Sequence, residues 1–287
     1  MSAARPLGLA QLSLLNTAPP QLVAIAAEAG FDFIGARVRP VTSTERPYDL
    51  QPGSPMLKET LARMAGTGVT VRDIEFLLLD GTDQREAWLG MMEAGQALGA
   101  ASLTVAASAP DTGRLADTLA RMTEDGRNYG IVPTLEPISY QAVNSIPAAV
   151  ALARASGCRI VVDALHLNRF GAVPGSAQWQ DLEANLDLVP LLQLCDGPVQ
   201  SPADRAALVA ESRSERGVPG EGGFDLAALV DAVGADVPVS VEAPSDSTVA
   251  RLGELGWARK LRETALAVLA PVSTSERASA AEKAVTA

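Results

Sequence analysis

The stretch Arg159-Ile-Val-Val-Asp-Ala-Leu-His166 decides the fold of this chain. Its run of β-branched residues predicts a buried strand, and that strand ends in an acid, Asp163. Three residues later comes His166, the single histidine in 287 residues. Similar apolar runs on either side also end in polar residues. The repetition indicates that Asp163 belongs to a set of side chains at the ends of neighbouring strands.

The same unit, an apolar strand followed by a helix, repeats along the chain. Glycine closes many of the predicted helices, as at Gly30, Gly99 and Gly157. The predicted strands cover residues 7–15, 31–38, 69–79, 101–107, 131–136, 159–163, 188–196 and 237–242. Eight strands alternating with helices over about 270 residues predict a single closed (β/α)8 TIM barrel of the α/β class. An open, doubly wound sheet is the alternative, but the first strand–helix turn lacks its GxGxxG loop.

We therefore expect one barrel domain over residues 1–270. Residues 271–287 are mostly small and polar, which predicts a disordered C-terminal tail. Two long polar segments, residues 40–55 and 197–223, are predicted to be loops that determine substrate specificity.

The composition excludes several classes of function. The net charge of −11 argues against binding to nucleic acid or to an anionic membrane surface. No apolar run reaches the roughly 20 residues of a membrane span, and the N-terminus lacks the apolar core of a signal peptide. We expect a soluble, cytoplasmic protein, in which Cys158 and Cys195 are buried thiols rather than a disulfide.

The late strands end in or near four polar residues, Glu136, Asp163, Gln193 and Glu242. In a TIM barrel the C-terminal ends of the strands form the mouth of the active site, so these side chains would converge. Three carboxylates in one place repel one another, and a divalent cation that prefers oxygen ligands, such as Mg²⁺, Mn²⁺ or Ca²⁺, would relieve the repulsion. The alternative is that the acids are solvated at the barrel mouth.

The motifs around these residues resemble the sugar phosphate isomerase/epimerase superfamily, which has the xylose isomerase-like TIM barrel. They are Leu135-Glu-Pro137, Asp163-x-x-His166, Gln193-Leu-Cys-Asp196, Pro219-Gly-Glu-Gly222 and Ser240-Val-Glu242. The resemblance to ketose 3-epimerases and inosose-type relatives implies that Glu136 and Glu242 bind a metal and exchange the substrate proton. It also implies that Asp163 is a metal ligand and that His166 and Arg216 contact the substrate.

One position departs from the family pattern. The strand-seven motif of the family begins with a histidine ligand, and this chain has Gln193 there. An amide oxygen is a neutral donor, which favours Mn²⁺ or Mg²⁺ over Zn²⁺ and leaves open that the metal is weakly held or absent. A single histidine cannot build the multi-zinc site of the DNA-repair endonucleases of this superfamily.

These residues predict a metal-dependent isomerase or epimerase that removes a proton next to the carbonyl of a sugar-like substrate. Gln11 is a further candidate for substrate binding, and Arg37, Arg39 and Arg216 are candidate contacts for an anion. One alternative is a lyase, a dehydratase or C-glycoside-cleaving enzyme, with the same enolising step and His166 as the base. Another is a degenerate barrel that binds a sugar-like ligand without catalysis. The resemblance also implies a homodimer or homotetramer.

Overall fold

Eight parallel strands close on themselves in the computed structural model, which describes residues 5–270. The strands are β1 (Leu7–Leu9), β2 (Phe33–Arg37), β3 (Thr70–Leu79), β4 (Ser102–Ala107), β5 (Val132–Leu135), β6 (Arg159–Asp163), β7 (Leu191–Leu194) and β8 (Val239–Val241). The helices of the described part are α1 (Pro19–Ala29), α2 (Pro55–Thr67), α3 (Arg85–Leu98), α4 (Thr112–Arg127), α5 (Ile146–Ser156), α6 (Ala164–Arg169), α7 (Ala177–Glu183), α8 (Arg205–Ser214), α9 (Leu226–Val233) and α10 (Asp246–Leu269). The predicted tail at 271–287 lies outside the described residues.

The strands pair in chain order, and the barrel closes where β1 pairs with β8. Leu7 lies opposite Val239 and Leu9 opposite Val241 across this closing pair. The predicted (β/α)8 barrel is therefore confirmed, and the open doubly wound sheet is excluded. Closure brings the C-terminal ends of all eight strands to one rim of the barrel.

Local sequence signals account for where the helices begin and end. α1 starts with two prolines and stops at Gly30, whose φ of +91° is a left-handed conformation that favours glycine. Ser54 caps α2 by accepting a hydrogen bond from the backbone N–H of Leu57. The helices pack around the barrel, where Trp88 of α3 and Trp257 of α10 are buried with 1% of their surface exposed.

Several boundaries differ from the sequence prediction. The first strand ends at Leu9, and a 3₁₀ turn follows over Gln11–Leu14. The prediction extended the strand to residue 15 because the apolar spacing of this stretch suits a strand or a helical turn. β7 begins only after Pro190, which has no N–H for strand pairing. The segment 197–223 is not only a loop, since it contains α8, capped by Asp204 through the N–H of Ala207.

The interior of the barrel is polar towards the C-terminal rim and near β3. Asp73 of β3 is 1% exposed and packs against Gly35 of β2, where a Cβ atom would lie 2.9 Å from Asp73 Oδ2. Burial, reinforced by the charge of Glu75, raises the pKa of Asp73 to about 8. Asp73 is therefore predominantly protonated at neutral pH.

Among the described helices, none combines the length and the apolar character that a membrane crossing requires.

Candidate active site

The carboxylates predicted from the late strands converge at one rim of the barrel. Glu136 directly follows β5, Asp163 is the last residue of β6, and Glu242 directly follows β8. Their exposed fractions are 4%, 2% and 3%, so all three are buried rather than solvated at the barrel mouth. Buried carboxylates require nearby cations, hydrogen-bond donors or bound protons.

Arg216, which follows α8, supplies a buried cation to two of these acids. Its Nη1 donates to Asp163 Oδ2 at 2.6 Å, and its Nη2 lies 3.0 Å from Glu242 Oε2. Its Nε donates to the backbone oxygen of Ser212 at 2.8 Å, and its own N–H donates to the oxygen of Pro244. The guanidinium is thereby fixed between β6 and β8, which places it in contact with the carboxylates.

Asp163 also organises the single histidine. Its Oδ1 accepts the backbone N–H of His166 at 3.0 Å and so caps α6. His166 Nδ1 accepts a long hydrogen bond, 3.4 Å, from the N–H of Ser139. The neutral ring therefore carries its proton on Nε2, which lies 3.7 Å from Glu136 Oε1. Burial lowers the pKa of His166 to about 4, so the ring is neutral at pH 7.

Gln193 of β7 faces Glu242 with its amide nitrogen. Nε2 donates to Glu242 Oε1 at 2.9 Å. Gln193 Oε1 is buried and has no hydrogen-bond partner among the described residues. Gln193, which stands where the family has a histidine, thus donates a hydrogen bond to Glu242 and leaves its own Oε1 without a donor.

The three acids differ in their proton affinity. Burial, with the charges of Glu242 and Asp163, raises the pKa of Glu136 well above its usual value. Burial also raises the pKa of Glu242 to about 8, against the opposing effect of Arg216. Burial alone would raise the pKa of Asp163 as well, but Arg216 and His166 hold it below its usual value. Asp163 is therefore the ionised partner of Arg216, while the two glutamates can hold protons near neutral pH.

A cleft that is partly open to solvent lies over these residues. Glu136, His166, Arg216 and Glu242 line it. Tyr140 lines it too, with its ring edge-on to His166 at 5.7 Å and its hydroxyl donating to Ser212 Oγ.

Gln11, predicted to contact substrate, is fully buried. It is not among the described residues that line this cleft. Its Nε2 donates to the oxygen of Thr17, and its Oε1 accepts the N–H of Arg37 at 2.7 Å. Both ends of the amide are therefore engaged in holding the backbone beside the cleft.

The early strands bring a second ion pair to the same cleft. Arg37 of β2 and Glu75 of β3 both line it, and their exposed fractions are 5% and 2%. Arg37 Nη2 lies 3.6 Å from Glu75 Oε1, a distance longer than a hydrogen bond. Glu75 was not predicted from the sequence. The available signal was the pair of acids, Asp73 and Glu75, at alternate positions of an otherwise apolar strand.

Ligand atoms of Glu136, Asp163 and His166 lie within 4.8 Å of one another, which makes this group a candidate divalent-metal site. The chemistry of the surroundings fits a cation. Four buried carboxylates around the cleft face only two buried guanidiniums, and the partnerless Gln193 Oε1 is a further oxygen donor. Of the four predicted ligands, Gln193 and Glu242 are instead hydrogen bonded to each other.

Residues 23–269 match the family model described as the xylose isomerase-like TIM barrel. The chain belongs to this family. The resemblance read from the motifs at Glu136, Asp163 and Glu242 is thereby confirmed at the level of the family.

Solved structures with this fold include several enzymes. An IolI protein with a bound zinc atom has a TM-score of 0.74 and 19% identity, covering 94% of this chain and 99% of its own. An L-ribulose 3-epimerase has a TM-score of 0.67 and 16% identity, covering 99% of both chains. The probable 3-DHS dehydratase AsbF of Bacillus anthracis has a TM-score of 0.69 and 13% identity, covering 90% and 97%. At these identities the likeness establishes the shared fold. No curated protein matches the sequence.

Proposed function

We propose that this protein is an isomerase or epimerase that removes and returns a proton next to the carbonyl of a sugar or sugar-like hydroxy-carbonyl compound. The observation that carries the proposal is the pair of buried glutamates, Glu136 and Glu242, that line one cleft. The likeness of its fold to that of an L-ribulose 3-epimerase supports it.

Two carboxyl groups with raised pKa values suit proton transfer near neutral pH. A general base or acid works best when its pKa lies near the working pH, and the pKa of Glu242 is raised to about 8. Because Glu136 and Glu242 repel each other, ionisation of one favours the protonated form of the other. In this proposal one glutamate removes the substrate proton and the other returns one, as epimerisation requires.

Arg216 and His166 supply hydrogen-bond donors for the charge that develops on the substrate oxygens. Arg216 lines the cleft and is held by Asp163, so its charge is fixed before the reaction begins. His166 is neutral and directs an Nε2–H towards the cleft beside Glu136. A pKa near 4 makes the ring a weak base, so we assign it to binding and polarisation of the substrate.

Glu136 and Asp163 would hold a divalent cation, with Gln193 Oε1 as the neighbouring neutral donor. A cation bound there would polarise the carbonyl and stabilise the enediolate. Oxygen donors favour Mn²⁺ or Mg²⁺.

Elimination is the second candidate, because the same enolising step can expel a β-hydroxyl group and because a probable dehydratase shares the fold. The low pKa of His166 argues against this ring as the base of such a reaction. An elimination would then use the same glutamates and release water. Product analysis by NMR separates the two reactions.

Kinetics of Glu242→Gln test the proposal. The variant keeps the shape of the side chain and loses its titrating group, so kcat on a sugar turned over by the wild type should fall about 10²- to 10⁴-fold. The matched control is Glu93→Gln, which removes an exposed carboxylate from α3. Wild-type turnover by Glu242→Gln contradicts the proposed role.

A further inference from the structure

We propose that Arg37 and Glu75 form a subsite for the hydroxyl groups of an uncharged substrate, and that this subsite selects against phosphorylated or carboxylated sugars. The inference rests on the proposed function in taking the cleft as the substrate site. It names a specificity determinant on β2 and β3, in the same cleft as the reacting carboxylates.

The first observation is that this buried pair is not hydrogen bonded. Arg37 Nη2 lies 3.6 Å from Glu75 Oε1, and Nη1 lies 4.0 Å from Glu45 Oε2. Arg37 Nε and Glu75 Oε1 have no hydrogen-bond partner among the described residues. Buried donors and acceptors are normally paired, so two buried side chains that line the cleft without a side-chain hydrogen bond indicate a place for a ligand.

The chemistry of the two groups, the Arg37 guanidinium and the Glu75 carboxylate, determines which ligand satisfies both. A guanidinium only donates hydrogen bonds and an ionised carboxylate only accepts them. A hydroxyl group does both, so it can accept from Arg37 and donate to Glu75 at once. The ring of Phe76 lines the same cleft and lies 5.9 Å from the guanidinium carbon of Arg37, which offers an apolar surface to the C–H groups of a sugar.

The third observation is the distribution of charge. Each buried guanidinium of the cleft already faces two carboxylates, Glu45 and Glu75 for Arg37, and Asp163 and Glu242 for Arg216. Arg213 also lines the cleft, but it is exposed, and solvent screens its charge. A phosphate or carboxylate on the ligand would therefore meet no uncompensated buried cation, and its desolvation would oppose binding.

The test is ligand binding by isothermal titration calorimetry, with and without Mn²⁺. The probes are matched pairs: D-fructose and its 6-phosphate, D-tagatose and its 6-phosphate, and myo-inositol and its 1-phosphate. We expect an uncharged member to bind at least about tenfold tighter than its phosphorylated counterpart. Tighter binding of a phosphorylated member, or no binding of any uncharged member up to about 0.1 M, overturns the inference.

Variants assign the preference to the pair. Glu75→Gln should weaken binding of the uncharged ligand about tenfold. It should also reduce or reverse the preference for the uncharged over the phosphorylated ligand, because Arg37 loses its buried counter-charge. The double variant Arg37→Gln/Glu75→Gln removes both charges, so it should lose the uncharged ligand without gaining the phosphate. Glu93→Gln is the control, and near-UV circular dichroism reports whether each variant is folded. Unchanged affinity in both Glu75→Gln and the double variant overturns the assignment.

Binding and catalysis are read separately. Affinity needs no turnover, so an uncharged preference that depends on Glu75 supports the subsite even if no probe exchanges a proton. Proton exchange confined to phosphorylated sugars overturns the subsite and leaves the proposed function intact.

Discussion

The two sides of the cleft hold their charges differently. On the late side, from β5 to β8, Arg216 contacts Asp163 at 2.6 Å and Glu242 at 3.0 Å. On the early side, Arg37 lies 3.6 Å from Glu75, and atoms of both side chains lack partners. On the late side Arg216 therefore holds Asp163 and Glu242 in place by direct contact, as preorganised reacting groups require. The early side has unused hydrogen-bonding capacity, as expected of groups that wait for a ligand.

The largest expected effect separates the two cations. Arg216→Met leaves Asp163 and Glu242 buried without their counter-charge, and we expect the free energy of unfolding to fall by about 3–5 kcal/mol. Arg37→Met also leaves the buried Glu75 without its counter-charge, but the two side chains lie 3.6 Å apart and share no hydrogen bond, so the loss should be smaller, about 1–2 kcal/mol. Urea denaturation monitored by circular dichroism measures both. Equal losses in the two variants would remove the distinction between the sides.

The second prediction concerns Asp73, the protonated acid of β3. The pKa of Asp73 is raised to about 8 in the folded protein, so its folded state retains a proton that the unfolded chain loses above about pH 4. Its contribution to stability is thus fully present below about pH 4 and is lost as the pH rises towards 8. Asp73→Asn lacks this dependence.

The unfolding free energy of Asp73→Asn, relative to wild type, should rise by a few kcal/mol between about pH 5 and pH 8. Urea denaturation at the two pH values measures it. Asp117→Asn, on the exposed face of α4, is the control and should show no such change. A constant difference between Asp73→Asn and wild type across this range contradicts the buried, protonated state.

A smaller effect concerns metal binding, which belongs to the late side. Glu136→Gln should weaken Mn²⁺ affinity by at least about tenfold, equivalent to roughly 1.4 kcal/mol, because it removes one of the anionic donors. Glu75→Gln, on the early side, should change that affinity by less than about threefold. Thermal unfolding with increasing Mn²⁺ gives both values. A larger loss in Glu75→Gln would assign the cation to the other side of the cleft.

The sequence was sufficient for the barrel and for the acids at its rim. Strand–helix alternation predicted closure, and Glu136, Asp163 and Glu242 follow apolar runs, so their common rim could be inferred. Glu75 was missed because it lies inside β3, a ten-residue strand that continues to Leu79, rather than at a strand end. The pairing of β3 with β4 shifts register after Glu75. The residue pattern of one strand does not show how that strand aligns with its neighbour.

The contacts of Arg216 were also beyond the sequence. It follows α8, a helix inside a segment predicted as loop, and it is 53 positions from Asp163. Such ion pairs depend on where two distant segments meet, which composition and spacing do not determine. The donor role of Gln193 towards Glu242 has the same origin, since an amide can present either of its ends.

Solvent-deuterium incorporation tests the central claim, that the late side transfers a proton next to a carbonyl. The protein is incubated in D₂O with Mn²⁺ and a panel of ketohexoses and inososes, and loss of the C–H signal next to the carbonyl is followed by proton NMR. We predict enzyme-dependent exchange in at least one compound, abolished in Glu136→Gln/Glu242→Gln and retained in Glu93→Gln. Exchange that persists in the double glutamine variant, or no exchange with any member of the panel, would contradict the account.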